Sequence, residues 1–595
     1  MNVNLSPKII QLFDPIVNGK DKVGFDIYDY HEIFNDEDTK RIIREGETIG
    51  CFYIESPGMR SLLKKMKSDT FEMLTAISSV IRPGVAESGM MAEFIKRHHD
   101  PSKRKYLVPE MEPLLKETYG VMIYQEDVIK VAHYVAGLSL EEADLLRRAM
   151  SGKMRSHEAM RRIKDKFFDH CLNKYSYEIT AELWRQIESF AGYAFCKAHS
   201  ASFALLSFQN AYLKTHFPAE FMSSVLTNQG GYYSPAVYLQ ESRRLGLRIL
   251  LPDINESEIE FTGKDDWIRM GLMAIKNLSF GTMEKIVEER RKNGNYKSLR
   301  DFIRRTNIGY AEASLLIQCG AMDCFARQMA RLFSKKIEWK SLTNKNWEVV
   351  KPKIYSLSTK KALFDGVLEE NSIELFMRPL LMRLLDVEMH KNKLRNNDVI
   401  DLFEEDLDLD ELLNFVGARK IQKYSIAQVC KIEYETFGYM VTRHPLHFYE
   451  KFVNSPEVTK AEELPSKKGR KVKAIGWLMT SKRIRTRKGD IMKFLSLEDL
   501  TGTFEAVIFP REYEKYATLT LTMGPYLIEG FVDSENGDTI TVKKLSVLSN
   551  RIVQRENLID DTESIFKNTE KILEEEFRLV EEIADDMIYR YVINF

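Results

Sequence analysis

From about residue 468 the hydrophobic pattern of the chain changes period, and no other feature limits its architecture as much. Upstream, apolar residues recur at helical spacing. Downstream, "KVKAIGWLMTS", "IMKFLSLEDL", "FEAVIF", "YLIEGFV" and "TITVKKLSVL" are strand-like runs split by turn signals. Five such strands within roughly 80 residues predict a small Greek-key barrel of the oligonucleotide-binding (OB) type. The expected fold class is multidomain: mainly α, followed by a five-stranded β-barrel.

At 595 residues the chain is too long for one hydrophobic core, and roughly three to five domains are expected. Residues 1–230 read as helices with short connectors, and 231–330 as shorter helices separated by Gly-containing hairpins. Residues 331–465 are less regular, with a basic part, "SKKIEWKSLTNKNWEVVKPK", and an acidic part, "DLFEEDLDLDELL". The barrel spans 466–550, and 551–595 read as a helical, acidic tail. Hydrophobic content of 44% and charged content of 29% are ordinary for a folded soluble protein. Net charge is −1, from 87 basic and 88 acidic residues, so any polyanion binding must rest on local patches. The six cysteines are scattered without CxxC pairing, which fits free thiols in a reducing cytoplasm and no structural zinc. No stretch approaches the ~20 apolar residues of a membrane span, and a cytoplasmic protein with no membrane partner is expected.

Three helices stand out in the amino-terminal part. "FEMLTAISSVIRPG" is an apolar helix stopped by Pro83-Gly84, and "SLEEADLLRRAMSGK" starts at a Ser139 N-cap. "ASFALLSFQNAYLKTHFPAEF" is apolar on most faces until Pro218 and reads as a buried helix. Cations gather at helix breaks: Arg82 before Pro83-Gly84, Arg147 and Arg148 before "AMSGK", Lys197 and His199 after Gly192. Such residues either grip phosphates near a positive helix start or are solvated helix ends. "MAIKNLSFGTMEKIVEER" and "GYAEASLLIQCGAMDCF" each read as helix, tight turn, helix. Their turns either offer backbone N–H groups to DNA phosphates or belong to plain packing units. In the barrel, "SKRIRTRKGD" places Lys482, Arg483, Arg485, Arg487 and Lys488 in one hairpin, a pattern that suits single-stranded DNA or a solvated edge. Asp406, Asp408 and Asp410 have a metal-site spacing, but they sit in an acidic run without a strand signature and read as helix or linker.

Four segments carry a family resemblance: "GCFYIESPGMRSLLKKMKSDTFEMLTAISSVIRPG", "ETYGVMIYQEDVIKVAHYVAGLSLEEADLLRRAMSGK", "FAGYAFCKAHSASFALLSFQNAYLKTHFPAEFM" and "LPDIN". In order and spacing they resemble the fingers motifs of the bacterial family C replicative polymerases, the DNA polymerase III alpha subunits, over about residues 25–330. "YETFGYMVTRHPL" extends the likeness to about residue 550. The resemblance implies fingers over 1–230, tandem helix-hairpin-helix motifs over 231–330, a connector with a candidate clamp-binding segment over 331–465, and the OB-fold. It implies template-directed DNA synthesis in replication, with primer–template, single-stranded DNA and deoxynucleoside triphosphates as partners. The implied nucleotide-binding residues are Arg82, Arg147, Arg148, Lys153, Lys197 and His199, with Glu126 or Asp144 as resting partner for Lys197. "SIELF" (Ser372, Ile373, Glu374, Leu375, Phe376) is the candidate sliding-clamp segment, although it lacks a leading Gln.

Departures from the family shape the expectation further. In the family a palm with metal-binding aspartates lies ahead of the fingers, whereas this chain reaches the fingers motif by Gly50. It is expected to hold no catalytic or metal-binding residues, to bind no cofactor alone, and to need Mg²⁺ with a palm-bearing partner. Alone it should not polymerise, as the carboxy-terminal half of a split, truncated or decayed polymerase. Leu278-Ser279-Phe280 stands where the family has a glycine-flanked turn. "NQGGYYSPAVYLQESRRLGLRILLPDIN" is closer to the error-prone, damage-associated paralogue, so a translesion repair polymerase subunit stays open beside a non-catalytic DNA-binding accessory.

Overall fold

The computed structural model describes residues 26–81, 89–150, 157–191, 196–325, 368, 372, 374–390, 423–486 and 488–548. The chain divides into two compact units, Met1–Phe217 and Pro218–Phe595.

The first unit is helical among its described residues. Helix α1 (Phe71–Val80) is capped by Thr70, whose Oγ1 accepts from Met73 N at 3.2 Å. Every residue of α1 from Met73 onward is buried. The short α2 (Gln125–Lys130) precedes α3 (Leu140–Met150). The expected Ser139 cap of α3 is present as a reciprocal box: Ser139 Oγ accepts from Glu142 N (3.1 Å) and Glu142 accepts from Ser139 N (3.0 Å). Helix α4 (Lys197–His216) ends two residues before Pro218 and is the long element of this unit. Its buried positions Ser200, Ala204, Ser207, Phe208, Ala211 and Tyr212 repeat at helical spacing and form one stripe. The stripe lies on α1, where Ser79 Oγ and Ser200 Oγ are 2.7 Å apart. The first turns are open on the other side, where Ala198, His199 and Ser202 are exposed, whereas from Ser207 to Lys214 burial extends round most of the helix, Gln209 and Leu213 included. Small residues make the sequence look uniformly apolar, yet they occupy both faces.

The second unit opens with α5 (Pro218–Asn228) and α6 (Pro235–Arg244) beside a small sheet of β1 (Arg248–Leu250), β2 (Thr262–Lys264) and β3 (Trp267–Arg269), in the order β1-β3-β2. Gly263 of β2 runs so close to α5 that a Cβ would overlap the Ala219 carbonyl. Helices α7 (Phe280–Asn293), α8 (Leu299–Thr306) and α9 (Tyr310–Gln318) follow, their core built from Ile286, Leu299, Phe302, Leu316 and Ile317. Helix α10 (Glu374–His390) packs on α9, and α11 (Ile426–Phe437) follows, started by a Ser425–Gln428 capping box.

The barrel comes last. Strands β4 (Lys471–Arg485), β5 (Ile491–Glu498), β6 (Thr503–Ile508), β7 (Tyr526–Val532) and β8 (Thr539–Val547) close in the order β4-β5-β6-β8-β7. Closure comes from a parallel β6–β8 pair, Glu505↔Thr539 to Val507↔Thr541, and all other pairs are antiparallel. Helix α12 (Pro510–Tyr516) follows β6. This order and the helix position are those of an OB-fold. Alternate residues of β7 (Tyr526, Ile528, Val532) point into a core shared with Leu495, Phe504 and Ile540, the period-2 signal seen in the sequence.

All six cysteines are free thiols. No helix among the described residues is long and apolar enough to cross a membrane.

One buried ion pair fastens α10. Arg378 is fully buried and bidentate to Asp323, Nε to Oδ1 at 2.9 Å and Nη2 to Oδ2 at 2.7 Å. Gly320 (φ 91°) makes room, because a Cβ there would run into the guanidinium. Removing one partner leaves the other charged and desolvated, so Arg378→Ala should destabilise by about 3–5 kcal/mol. Arg378→Met with Asp323→Leu should recover most of that loss. Denaturant unfolding of the three proteins checks this, and equal losses in the single and double variants would count against the pair.

Candidate functional site

The first turn of α2 contacts two of the residues singled out in the sequence, Arg147 through its side chain and Lys197 through its backbone N–H. Three successive side chains leave this turn, each with a different task. Gln125 Oε1 accepts from Arg147 Nη1 of α3 at 3.1 Å. Glu126 reaches the start of α4, where one oxygen accepts from Lys197 N at 3.0 Å and the other from Cys196 Sγ at 3.4 Å. Asp127 turns back and accepts from Ile123 N and Tyr124 N, both at 2.9 Å. Burial pushes the Asp127 carboxyl up to about 6, against those two donors and the nearby Lys130 and Lys197 charges. Arg147 and the start of α4 are thus held by neighbouring residues of one helical turn.

The cations are already paired. Lys197 Nζ donates to Glu117 at 2.6 Å and lies 5.2 Å from the centre of the Tyr124 ring. The sequence points to Glu126 or Asp144 as its resting partner, and the structure corrects this. Glu126 is committed to the backbone at the head of α4, and Asp144 takes both Arg147 (2.7 Å) and Arg148 (2.7 Å). The paired Arg147 holds the Asp144 carboxyl below its ordinary value. Burial, then the Glu117, Asp127 and Glu126 charges, push the Tyr124 phenol upward, and its hydroxyl has no hydrogen-bond partner among the described residues. Lys197 and Glu117 keep 38% and 42% of their side-chain surface, so an incoming anion can reach the pair. His199, two residues on, is exposed and lies edge-on to Phe203 at 4.2 Å. Arg82 and Lys153 lie outside the described residues.

Sequence reasoning missed Glu117, which stands 80 residues before Lys197 on a short 3₁₀ turn, Lys116–Thr118. Nothing local marks it. Gln125 sits inside a quoted motif, but only its packing partner reveals its task.

In the second unit, the turn before α7 has two residues, Ser279 and Thr282, whose donors are occupied. Ser279 Oγ caps α7 by accepting from Thr282 N (3.3 Å), and Ser279 N donates to Glu312 of α9 at 2.9 Å. Glu312 also accepts from Thr282 Oγ1 at 2.8 Å. The sequence departure Leu278-Ser279-Phe280 therefore replaces open amides with an internal carboxylate. The barrel hairpin is different. Lys482, Arg483, Arg485 and Lys488 are exposed at the β4–β5 end, and Arg487 lies outside the described residues. Register pairs Arg483 with Lys493 and Arg485 with Ile491, so Arg483, Arg485 and Lys493 share one face while Lys482 takes the other. Lys493 is spent internally, donating to Thr520 O at 2.7 Å.

Within the "SIELF" segment, the Leu375 side chain turns inward. Leu375 is fully buried against Ile426, Val429 and Tyr434, and its carbonyl accepts from Tyr424 N at 2.9 Å. Ile373 lies outside the described residues, as do Asp406, Asp408 and Asp410. Among the described residues no group of three or more His, Cys, Asp or Glu is placed to hold a metal ion.

Comparison with known proteins agrees with this anatomy. The model of the bacterial DNA polymerase III alpha subunit finger domain matches residues 7–175, and a helix-hairpin-helix motif matches 246–332. The chain is 32% identical over 530 residues to DNA polymerase III subunit alpha of Aquifex aeolicus, a match covering 88% of this chain and 40% of that protein. It is equally identical, at 32% over 530 residues, to the Borreliella burgdorferi subunit, with 88% and 42% covered. Against the Pseudomonas aeruginosa subunit it is 32% identical over 516 residues, with 84% and 41% covered. The chain thus spans about two fifths of the length of these curated relatives. Fingers, helix-hairpin-helix region and barrel follow one another in a single sequence, and over the stretch it covers the chain belongs to the bacterial DNA polymerase III alpha subunit family.

Proposed function

We propose that this chain is the fingers and DNA-binding part of a DNA polymerase III alpha-type enzyme acting in template-directed DNA synthesis. The observation that carries the reading is the first turn of α2, which holds Arg147 and the cationic start of α4 side by side. In this reading Lys197, Arg147, Arg148 and His199 meet the triphosphate of the incoming nucleotide. Lys197, Arg147 and Arg148 each rest on a carboxylate until the triphosphate displaces it, so the site is oriented beforehand. In this reading the Mg²⁺ ions of phosphoryl transfer are held by the carboxylates of a palm-bearing partner.

The chain with Mg²⁺, primer–template and nucleotides should show no extension, and adding a palm-bearing segment of the family should restore it. Robust extension by the chain alone would overturn this division of labour. In the reconstituted reaction, Lys197→Ala should raise the nucleotide concentration for half-maximal rate about 10- to 100-fold, the worth of one charge-assisted hydrogen bond. Because the Lys197–Glu117 pair is partly exposed, its loss should cost under about 1 kcal/mol of stability. Thermal unfolding should then be unchanged, whereas an unfolded variant would make Lys197 a structural residue.

The barrel hairpin has a separate test. If Arg483 and Arg485 contact backbone phosphates, replacing both by Ala should flatten the log–log salt dependence of single-stranded DNA binding by about 1.4, at about 0.7 per contact. Base preference should not move. An unchanged slope would leave the hairpin a solvated edge.

A further inference from the structure

We propose that Lys214, at the far end of α4 from the nucleotide-binding residues, is a positioning residue for them, an inference that rests on the polymerase role proposed for that site. Lys214 is 2% exposed, and its ammonium donates to Glu47 O at 2.8 Å and Ile49 O at 2.9 Å. Two turns earlier on the same face, the one Ser207 Oγ proton is shared between Phe203 O of α4 at 2.7 Å and Phe52 O of the loop at 3.0 Å. Three carbonyls of one loop are therefore fixed on a single stripe of α4.

The loop closes on itself as well. Thr48 Oγ1 donates to Ile54 O at 2.6 Å, and Gly50 N donates to the buried Glu55 carboxylate at 2.9 Å. So held, Tyr53 keeps a left-handed conformation, φ 69°, which a residue with a bulky side chain adopts only under constraint. Phe52 stays 47% exposed.

The constraint has a recipient. Phe52 meets the Phe203 ring at 5.4 Å and Tyr53 meets it at 4.9 Å. Phe203 in turn meets His199 edge-on at 4.2 Å. An unbroken path runs from the Lys214 ammonium through the 47–55 loop and the Phe203 ring to His199, one of the residues assigned to the triphosphate. Packing alone between Leu213 and the core would not need a lysine at position 214. The charge is used to grip carbonyls of a segment that covers the working end of the helix.

The test is a double-mutant cycle in primer extension with the palm-bearing segment supplied. Lys214→Met keeps the length of the side chain and removes the grip. It should raise the nucleotide concentration for half-maximal rate about tenfold while leaving the saturating rate within about twofold. In a His199→Ala background the same change should add nothing further, because the effect travels through His199. Phe52→Trp supplies a reporter whose acrylamide quenching should rise when Lys214 is replaced. An unchanged nucleotide requirement in folded Lys214→Met overturns the proposal, as does an increment of equal size with and without His199. Should Lys214→Met fail to fold, Ser207→Ala takes its place: the same shift, smaller, supports the path, and no shift sinks it. If Lys197→Ala also leaves nucleotide use unchanged, the polymerase reading of the site falls. If only the Lys214 and Ser207 variants are silent, this inference falls alone.

Discussion

The Glu126 carboxylate at the head of α4 is the contact on which the first unit depends. A 20-residue helix begins there with its own N-cap, Cys196, making no side-chain cap bond. Its first amides and positive end need an anion. Glu126 supplies it from another helix and so fixes where α4 points relative to α2. Because Gln125 and Asp127 leave the same turn, that geometry also sets Arg147 and the 123–127 bend. The arrangement would be repulsive if the acids stood alone, since Glu117, Glu126 and Asp127 all surround Tyr124. Lys197 on Glu117, the amide at the head of α4 on Glu126, and Lys130 and Lys197 near Asp127 offset them. The result is a polar cluster whose charges balance internally, in a state that a more strongly charged anion can rearrange.

The second unit uses internal ion pairs to join segments far apart in sequence. Glu498 of the barrel is buried; burial pushes its carboxyl up, but His444 and Arg244 outweigh this and hold it below the ordinary value. Arg244 at the end of α6 donates to both Glu498 and Glu241 at 3.0 Å, which ties the barrel to the start of the unit. Glu433 of α11 is fully buried and accepts from Val441 N at 2.7 Å and Thr442 N at 2.8 Å, shaping the turn into "TRHPL". Burial raises its carboxyl against those bonds. Such pairs add little net stability over apolar packing, but they tolerate only one geometry. For a protein that must keep a barrel and a helical region in register, that restriction is the useful property.

What the sequence discloses follows from how local each signal is. The five strands are legible because period-2 burial is written into every strand, as in Tyr526, Ile528 and Val532. Ser139 and its partner Glu142 are legible because a cap needs only three residues. The faces of α4 are not, because alanine and serine serve buried and exposed positions alike; Ser200 is buried and Ser202 is exposed. Nor are the partners of Lys197 and Lys214, which lie 80 and about 165 residues away with no periodic trace. "SIELF" is ambiguous in sequence because a short apolar pair looks the same whether it docks on a partner or, like Leu375, fills its own core. Residue types at the site are readable, while their pairings belong to the fold.

The cationic regions of the two units are built on opposite electrostatic plans, and the difference bears on what each can bind. Arg147, Arg148 and Lys197 rest on carboxylates, so an anion that binds them exchanges with a protein group and not with the ion atmosphere. A ligand with several closely spaced charges makes that exchange more favourable than a single charge does. Arg483 and Arg485 have no carboxylate partner among the described residues and stand in water at the end of a hairpin. Any phosphate backbone can pair with them by releasing counterions, which gives tolerance of sequence and strong dependence on salt. The turn before α7 follows the first plan to its limit. Glu312 satisfies Ser279 N and Thr282 Oγ1, so these two donors are already met by a carboxylate. One chain thus carries both a cationic surface with its charges already paired and one with its charges open to water.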